Sequence, residues 1–473
     1  MSFSILDLPS EVVDHIFSYL TIDDHRYARR VCRQWNHQLS SPGYFKATKM
    51  RLEQAYLFNV RLDELAGYVG QGKLHCLKVN DLIQLEGMRP ALFAEYMKTM
   101  VQLLEVSRFS LEELRLRNCP EETLLAVYDG LVKACRLRHL RVDVEPDHFQ
   151  DMIVPKVPCF VSDSVGLSLV THLEVTLGNE SFVGLVSSLA SQLTCLTLTV
   201  FGKHLLLRCW NDIRLPALHS LSVRRGESHM PIGVIQPVEL GGGCWQMLAQ
   251  LETFRCGTYN LLNKVLVEML QHCKKLQCLA ITNGCISLEC IEQIGAMKGL
   301  KDLHLAPDHY RNRGLTGNPP VLQLPNVEHL HLSAEIGGIR LGRQMPKIKS
   351  MVLEGLEAYS SPKALISEIG NIDNIAERRL RKFPFIHVQL DREANDLIGS
   401  LSVDLLTFEN CRIDGSLLDV LAKPDTRRQI LRIVMKDCTF TFQAGQPYNI
   451  RTVTELREKC PYIQIAHSGI IYK

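Results

Sequence analysis

The stretch Leu111-Glu-Glu-Leu114-Arg-Leu116-Arg-Asn-Cys119 sets the pattern on which most of this chain is built. Apolar residues stand at its first, fourth and sixth positions, and charged residues fill the positions between them. In an extended strand, alternate side chains point to opposite faces. The stretch therefore predicts a short strand that turns its leucines toward a core and its arginines toward solvent.

The same spacing recurs from residue 74 to the end of the sequence. Strong copies begin at Leu137, Val170, Leu193, Leu218, Leu276, Leu300, Val327, Ile348, Val403 and Ile430, and weaker copies begin at Leu74, Leu251, Phe385 and Cys460. The fourth positions run from residue 77 to residue 463 with a mean step of 27.6 residues. Helical periodicity fills several gaps, at Phe182–Gln192, Leu262–Cys273, Glu289–Lys298 and Leu417–Ala422. A strand and a return helix repeated in this way predict stacked units that bury one shared core.

This repeat resembles the leucine-rich repeat, whose units of roughly 20–29 residues each supply one strand. We therefore expect an α/β fold in which residues 74–473 form a curved leucine-rich-repeat solenoid. The resemblance implies parallel strands on the concave face and helices on the convex face. Longer gaps predict loops at residues 145–164, 226–243 and 306–320, which could either take part in binding or be tolerated without a role.

The N-terminal segment follows a different, helical pattern. Asp23 and Asp24 suit the start of a second helix. The segment is too short to bury a self-sufficient core, so it is expected to complete itself against the rest of the chain or a partner. One apolar stripe at helical spacing is predicted for Val12, Val13, Ile16, Phe17 and Leu20.

The motifs Leu8-Pro9-x-Glu11, Ile16-Phe17-x-x-Leu20 and Val31-Cys32-Arg33-x-Trp35 resemble the F-box. F-boxes dock substrate adaptors onto the Skp-family linker of SCF-type cullin–RING ubiquitin ligases. His25 and Tyr44-Phe45 depart from the usual pattern. The resemblance implies a three-helix F-box at residues 1–45, followed by a helical linker or cap at residues 46–73. It assigns the linker interface, or the packing directly behind it, to Leu8, Pro9, Ile16, Phe17, Leu20, Val31, Cys32 and Trp35.

Together, the two patterns resemble the F-box/leucine-rich-repeat proteins. That resemblance implies a non-catalytic adaptor that binds the Skp-family linker, and through it cullin and RING protein, while the repeats hold an unidentified protein substrate for ubiquitination. Such an adaptor acts by raising the effective concentration of the target near the ligase. The alternative is a non-ligase leucine-rich-repeat scaffold or inhibitor in which the N-terminal helices act as a solenoid cap.

The candidate substrate-binding face consists of outward-pointing strand residues. Its arginines suit a carboxylate or phosphate group, but Glu113, Asp143 and Glu174 dilute them, so a charge-mixed face and an acidic-ligand site are equally open. The candidates are Arg115, Arg117, His139, Arg141, His172, Arg224, His304, His329 and His331.

The histidines on this face are expected to be ordinary polar strand residues. His387 is predicted to share the face, which makes six histidines with those at 139, 172, 304, 329 and 331. Only His329 and His331 are expected to lie near enough to share a ligand. We therefore predict no metal site and no cofactor.

Catalytic and secretory signatures are missing from the sequence. It contains no GxxxxGK phosphate loop, GxSxG elbow or HExxH motif, so no catalytic residues are predicted. The 16 cysteines are spread along the chain and are predicted to be reduced, buried thiols. The resemblance to leucine-rich repeats implies that Cys119, Cys285, Cys411 and Cys438 occupy buried positions that line turns.

Charge and hydropathy restrict the cellular compartments in which the chain is expected. A net charge of +2 gives no general attraction to nucleic acid or to an anionic membrane. The first seven residues do not read as a signal peptide, because they lack a basic stretch before an apolar run. Ser181–Gly202 is uncharged and long enough to span a membrane, but its scattered polar residues favour a helix followed by a strand. We expect a protein without a membrane span, located in the cytoplasm, the nucleus or both.

Overall fold

The computed structural model of the chain confirms an α/β fold built from parallel strands and intervening helices. It describes residues 8–17, 19–20, 24, 27–39, 48–52, 74–80, 90–119, 123, 127, 134, 136–144, 167–177, 181–200, 214–225, 249–257, 263–282, 286–306, 321–333, 340–355, 366, 368–369, 372, 375, 379–442, 463–466 and 469–472. The chain divides into two compact units, residues 1–219 with 225–231 and residues 220–224 with 232–473.

The first unit combines helices with a parallel ladder of strands. Its helices are α1 (Ser10–Phe17), α2 (Arg33–Leu39), α3 (Pro90–Ser107) and α4 (Ser181–Leu189). Its strands are β1 (Thr48–Leu52), β2 (Leu74–Asn80), β3 (Glu113–Cys119), β4 (His139–Val144), β5 (His172–Leu177) and β6 (Cys195–Val200). Each strand pairs in parallel with the next one along the chain.

The second unit repeats the same arrangement over more strands. Its main sheet contains β7 (Ser220–Arg225), β8 (Thr253–Gly257), β9 (Cys278–Ile281), β10 (Asp302–Leu305), β12 (His329–Ser333), β14 (Ser350–Glu354), β15 (Leu380–Ile386), β17 (Val403–Glu409), β19 (Ile430–Lys436) and β21 (Ile463–Ala466), paired in parallel in that order. Its helices are α5 (Asn263–His272), α6 (Leu288–Gly295), α7 (Arg392–Gly399), α8 (Ser416–Ala422) and α9 (Pro424–Gln429).

The burial pattern confirms the predicted use of the repeated spacing. In β3, Leu114 and Leu116 are fully buried, whereas Arg115 and Arg117 are exposed. The registers align Leu77, Leu114, Leu140 and Leu173 across four successive strands. Each unit therefore adds its leucines to one continuous buried layer, as expected for a stack that cannot cover its apolar face unit by unit.

Two smaller parallel ladders accompany the main sheet of the second unit. One pairs β11 (Val321–Leu322) with β13 (Arg340–Leu341). The other contains β16 (Gln389–Leu390), β18 (Arg412–Asp414), β20 (Thr439–Phe442) and β22 (Gly469–Tyr472). His387, Asn410 and Asp437, each directly after a main-sheet strand, have φ of 54°, 52° and 52°. Asn and Asp adopt this left-handed conformation more readily than most residues, which lets the chain turn sharply into the second ladder.

Buried cysteines line these turns, as predicted. Cys411 and Cys438 are completely buried, and the Cys411 thiol donates a hydrogen bond to the carbonyl oxygen of Phe385 at 3.2 Å. Cys119 is buried as well. Cys285 lies outside the described residues.

One predicted repeat register is wrong. The repeat assigned to Phe385–Leu390 is formed instead by Leu380, Phe383 and Phe385 in β15, where Phe383 pairs with Leu406. The true strand carries Pro384, which has no N–H to donate and is unusual inside a sheet. His387 consequently sits in a turn rather than on the strand face, so the predicted set of six histidines on that face loses one member.

The segment after the N-terminal helices also differs from its prediction where it is described. Residues 46–73 were expected to form a helical linker or cap, but residues 48–52 form β1 and pair with β2. The rest of that segment lies outside the described residues, as do nearly all of the three predicted loops. Ser181–Gly202 does contain the predicted helix and strand, α4 and β6. Among the described residues, no helix combines the length and hydropathy needed to cross a membrane.

Candidate functional sites

The N-terminal helices form a small core of their own. Val13, Phe17, Ala28 and Leu39 are buried together, and Leu20 and Trp35 pack against them. The Phe17 and Trp35 rings meet edge to face at 4.9 Å between centroids, which is a favourable aromatic geometry. Three of the predicted interface residues, Phe17, Leu20 and Trp35, therefore belong to the packing behind a surface.

A second set of apolar side chains, on α1 and in the residues just before α1 and α2, faces solvent. Leu8, Val12 and Ile16 recur every four residues and are 37%, 43% and 38% exposed, and Val31 is 65% exposed. Pro9 is also exposed and Cys32 is half-buried. The single apolar stripe predicted from the sequence is thus two stripes on different sides of α1. We call Leu8, Val12, Ile16 and Val31 the exposed apolar face.

On the sheet of the first unit, the predicted arginine cluster is largely neutralised. Arg115 forms an ion pair with Glu113. Arg141 contacts Asp143 at 2.6 Å and Glu174 at 3.2 Å. Arg117 is exposed and has no ion pair with any described residue. This pairing favours the charge-mixed face over a site for an acidic ligand.

The first-unit histidines stand side by side on neighbouring strands. His139 and His172 pair across β4 and β5, with ring centroids 4.2 Å apart. Burial, and secondarily the charge of His139, lowers the pKa of His172. These rings lie on the same face of the ladder as the arginines of this unit. The other predicted residues lie in the second unit: Arg224, His304, His329 and His331.

The second unit carries a groove on the face of its sheet. Its cavity volume is about 490 Å³, and it is lined by side chains from β7 to β14, including Arg224, Arg255, His304, His329 and His331. The structure thus brings four of the predicted residues, all except those of the first unit, into one depression. Arg255, which is not among the residues predicted from the sequence, lines the groove as well.

Two histidines in this groove are much closer than predicted. The rings of His304 and His331 are stacked at 3.6 Å with an interplanar angle of 5°. His331 Nε2 lies 2.8 Å from Glu354 Oε2. The expectation that only His329 and His331 could share a ligand is wrong, because residues at equal positions of adjacent strands are closer than residues two apart on one strand. Aligning the repeats starting at Leu300 and Val327 would have revealed this pair.

The protonation of this group follows from its surroundings. Burial, together with the nearby charge of His331, lowers the pKa of His304 to about 4. The hydrogen bond from His331 lowers the pKa of Glu354. At neutral pH, His304 is therefore neutral and Glu354 is a carboxylate.

Two buried cysteines, Cys76 and Cys290, have thiols that resist ionisation. Burial, with a further effect of the Glu113 charge, raises the pKa of Cys76 to about 12. Burial also raises the pKa of Cys290. A thiol that stays protonated behaves as a small hydrophobic group rather than as a nucleophile.

Comparison with known proteins identifies the N-terminal helices. Residues 5–45 match the model of the F-box-like family. No curated protein matches the chain. Similar solved structures include an internalin, InlF, from Listeria monocytogenes (12% identity, TM-score 0.32, covering 98% of each chain), TLR13 in a complex with ssRNA13 (13%, 0.35, covering 91% of this chain and 63% of that one) and the yeast Rad7–Elc1 complex (11%, 0.31, covering 98% and 93%).

These structural likenesses are too distant to assign a function. The fold rests instead on the repeated strand spacing and on the parallel ladders that it forms. The chain therefore combines an F-box-like domain at residues 5–45 with an α/β array of repeated parallel strands.

Proposed function

We propose that this protein is the substrate-recognition adaptor of an SCF-type ubiquitin ligase. In this role the F-box-like domain docks onto the Skp-family linker, and through it onto cullin and RING protein. The repeat array holds a protein target, and the ligase supplies the chemistry. The adaptor needs no catalytic residue of its own, because holding two reactants together is sufficient to accelerate transfer.

The observation that carries the proposal is that the N-terminal segment has one set of apolar side chains in a buried core and another set on its surface. Val13, Phe17 and Leu39 are buried in the local core, so the helices hold their arrangement while the exposed apolar face stays on the surface. A helix that is apolar on two sides is normally covered on both. A partner that removes this face from water would gain free energy in proportion to the apolar area.

The same observation weighs against the alternative of a scaffold or inhibitor with a helical cap. A cap would cover its apolar residues with the neighbouring repeat, because that is how terminal units protect the end of a stack. Leu8, Val12 and Val31 are instead exposed within the chain.

A pull-down with purified linker tests the proposal. The docking variant is Leu8→Ala/Ile16→Ala/Val31→Ala, which shortens exposed side chains and leaves the local core intact. The matched control is Gln34→Ala/His37→Ala, which shortens exposed polar side chains on α2 that lie outside the quoted motif residues. We expect the docking variant to bind the linker at least about 30-fold more weakly than wild type, as loss of hot-spot residues does, and the control to bind normally.

Two outcomes would count against docking through this face. One is equal recovery of the linker by all three proteins, and the other is recovery by none of them while circular dichroism shows them folded. A third variant, Phe17→Ala, should lose binding together with helical signal, which separates damage to the core from damage to the surface.

A further inference from the structure

A row of side chains crosses the groove of the second unit at one level of the sheet. The registers place Arg255 next to Ala280, Ala280 next to His304, and His304 next to His331. Glu354 lies on the next strand, two residues beyond the partner of His331 and opposite Ser333, and its carboxylate reaches His331. We call His304, His331 and Glu354 the His–His–Glu cluster.

Three potential donor atoms converge in this cluster. One nitrogen or oxygen atom from each side chain lies within 4.8 Å of the other two. Nε2 of His304 is buried and has no hydrogen-bond partner among the described residues. A buried polar atom without a partner is costly unless something satisfies it.

The stacking of the two imidazoles does not by itself account for their arrangement. The rings lie almost parallel and face to face, whereas aromatic rings prefer offset or edge-to-face contacts. The hydrogen bond to Glu354 uses one ring only. A ligand that binds both imidazoles and the carboxylate would satisfy all three groups at once.

We propose that the His–His–Glu cluster binds a divalent transition-metal ion of the Zn²⁺ class. Two imidazole nitrogens and one carboxylate oxygen form a donor set that suits Zn²⁺ and its neighbours better than Mg²⁺ or Ca²⁺, which prefer oxygen alone. Three protein ligands leave a fourth position for water or for a donor atom of a bound partner. This inference is independent of the docking function, because it concerns a different unit and needs no ligase component.

The cluster can supply the ligands that such a site requires, but one nearby positive charge opposes binding of a cation. Metal ligands must be neutral imidazoles and ionised carboxylates, so binding should weaken as the pH falls. Zn–N bonds of about 2.1 Å require the donor atoms to draw closer. Because the lone pair of an imidazole nitrogen lies in the ring plane, the two stacked rings must also rotate out of parallel for both to point at one ion. The guanidinium of Arg255 repels positive charge at His304 and therefore weakens cation binding.

Titration of the full-length, reduced protein with Co²⁺ tests the site. Co²⁺ substitutes for Zn²⁺ and gives visible absorption bands when it is bound in a tetrahedral site. The 16 cysteines are the main competitors, and binding to them would add a sulfur-to-cobalt charge-transfer band in the near ultraviolet. We expect one Co²⁺ per chain, visible bands, and no sulfur band.

Variants then locate the ion. His304→Ala and Glu354→Gln should each weaken binding at least about tenfold, since even outer ligands of metal sites have effects of that size. The matched control is His329→Ala, two residues from His331 on the same strand and hydrogen-bonded to Ser350, which should bind Co²⁺ as wild type does. Arg255→Gln should bind more tightly than wild type.

Several results would overturn the proposal. Equal Co²⁺ affinity in wild type and His304→Ala would place the ion elsewhere, and a sulfur band lost on thiol alkylation would show cysteine ligation. No Co²⁺ bands at millimolar metal would mean that the cluster binds no ion of this class. Circular dichroism of each variant separates lost binding from lost folding.

Discussion

Gly295 and Gly399 show how a single methyl group can matter at one helix end and not at another. Gly295 ends α6 and Gly399 ends α7. A Cβ at Gly399 would lie 2.3 Å from Cγ1 of Val420, whereas a Cβ at Gly295 would lie 3.5 Å from its nearest neighbours. Val420 is buried, and its β-branched side chain has little freedom to rotate away.

We therefore predict opposite effects of the same substitution. Gly399→Ala should lower the free energy of unfolding by about 1–3 kcal/mol through overpacking. Gly295→Ala should leave it unchanged or raise it by up to about 1 kcal/mol, because alanine favours helix. Chemical denaturation of both variants measures this difference. If both variants unfold with the same free energy, α7 and α8 can move apart to admit the methyl group at Gly399 without loss of stability.

His172 predicts a pH dependence of stability in the first unit. Its pKa is lowered in the folded chain, first by burial and then by the charge of His139 on the neighbouring strand. The unfolded state therefore binds more protons than the folded state as the pH falls below the ordinary histidine value of about 6.5. The stabilisation is fully present above that pH and is lost below it.

The expected measurement is the thermal midpoint from pH 7.5 to pH 5. It should fall in wild type and fall less in His172→Gln, which cannot acquire the charge. His219→Gln, an exposed histidine of the same unit, is the control and should follow wild type. A steeper loss in His172→Gln would reverse the sign of this argument.

At the level of strands and helices, the sequence predicted the repeated units well because burial enforces the pattern. Leu114, Leu140 and Leu173 occupy equal positions in successive strands and cannot shift without exposing a row of leucines. The prediction failed where the pattern is interrupted. In β15, Pro384 and the preceding Arg381-Lys382 disguise a strand whose apolar residues nevertheless keep the spacing.

The second ladder, and the side chains that contact each other in the groove, could not be predicted from the spacing of apolar residues. β16, β18 and β20 contain two to four residues each, which is too few to show a periodicity. Stacking of His304 on His331 depends on the register between two strands and not on the spacing within one. For α1, the sequence shows that both sides are apolar, but only packing decides that Phe17 points inward and Ile16 outward.

Leu330 tests how far one strand supports its neighbours. It is 1% exposed and pairs with Leu303 and Met351 on adjacent strands. Leu330→Asp buries an unpaired carboxylate and should lower stability by about 4 kcal/mol or more. Leu431→Asp makes the same change at a residue that is 56% exposed, and should cost less than about 1 kcal/mol.

Hydrogen exchange shows whether the loss spreads through the stack. In Leu330→Asp, amide protection should fall in β10, β12 and β14 together, and least in β19 and β21. This gradient follows because each repeat contacts only its neighbours. Loss of protection confined to β12 would mean that the strands are stabilised separately and that neighbouring repeats do not share one core.

For the whole molecule, the proposed adaptor function assigns binding of the target and degradation of the target to different parts of the chain. The repeats bind, and the F-box-like domain brings the ligase, so the two activities should be separable by mutation. Loss of docking removes the high effective concentration of ligase around the target without changing the affinity of the repeats. A scaffold or inhibitor shows no such separation, because its binding is its function.

The half-life of a captured partner distinguishes these cases. Candidate targets are proteins that bind the docking variant, Leu8→Ala/Ile16→Ala/Val31→Ala, and that are degraded faster in cells carrying the wild-type chain than in cells carrying this variant. We expect their half-life to rise in cells that carry the docking variant, and equally in cells that carry a chain lacking residues 1–45. Cells with Gln34→Ala/His37→Ala should match wild type. If both the docking variant and the deletion retain the partner and leave its half-life unchanged, the repeats act as a scaffold and the exposed apolar face serves some other contact.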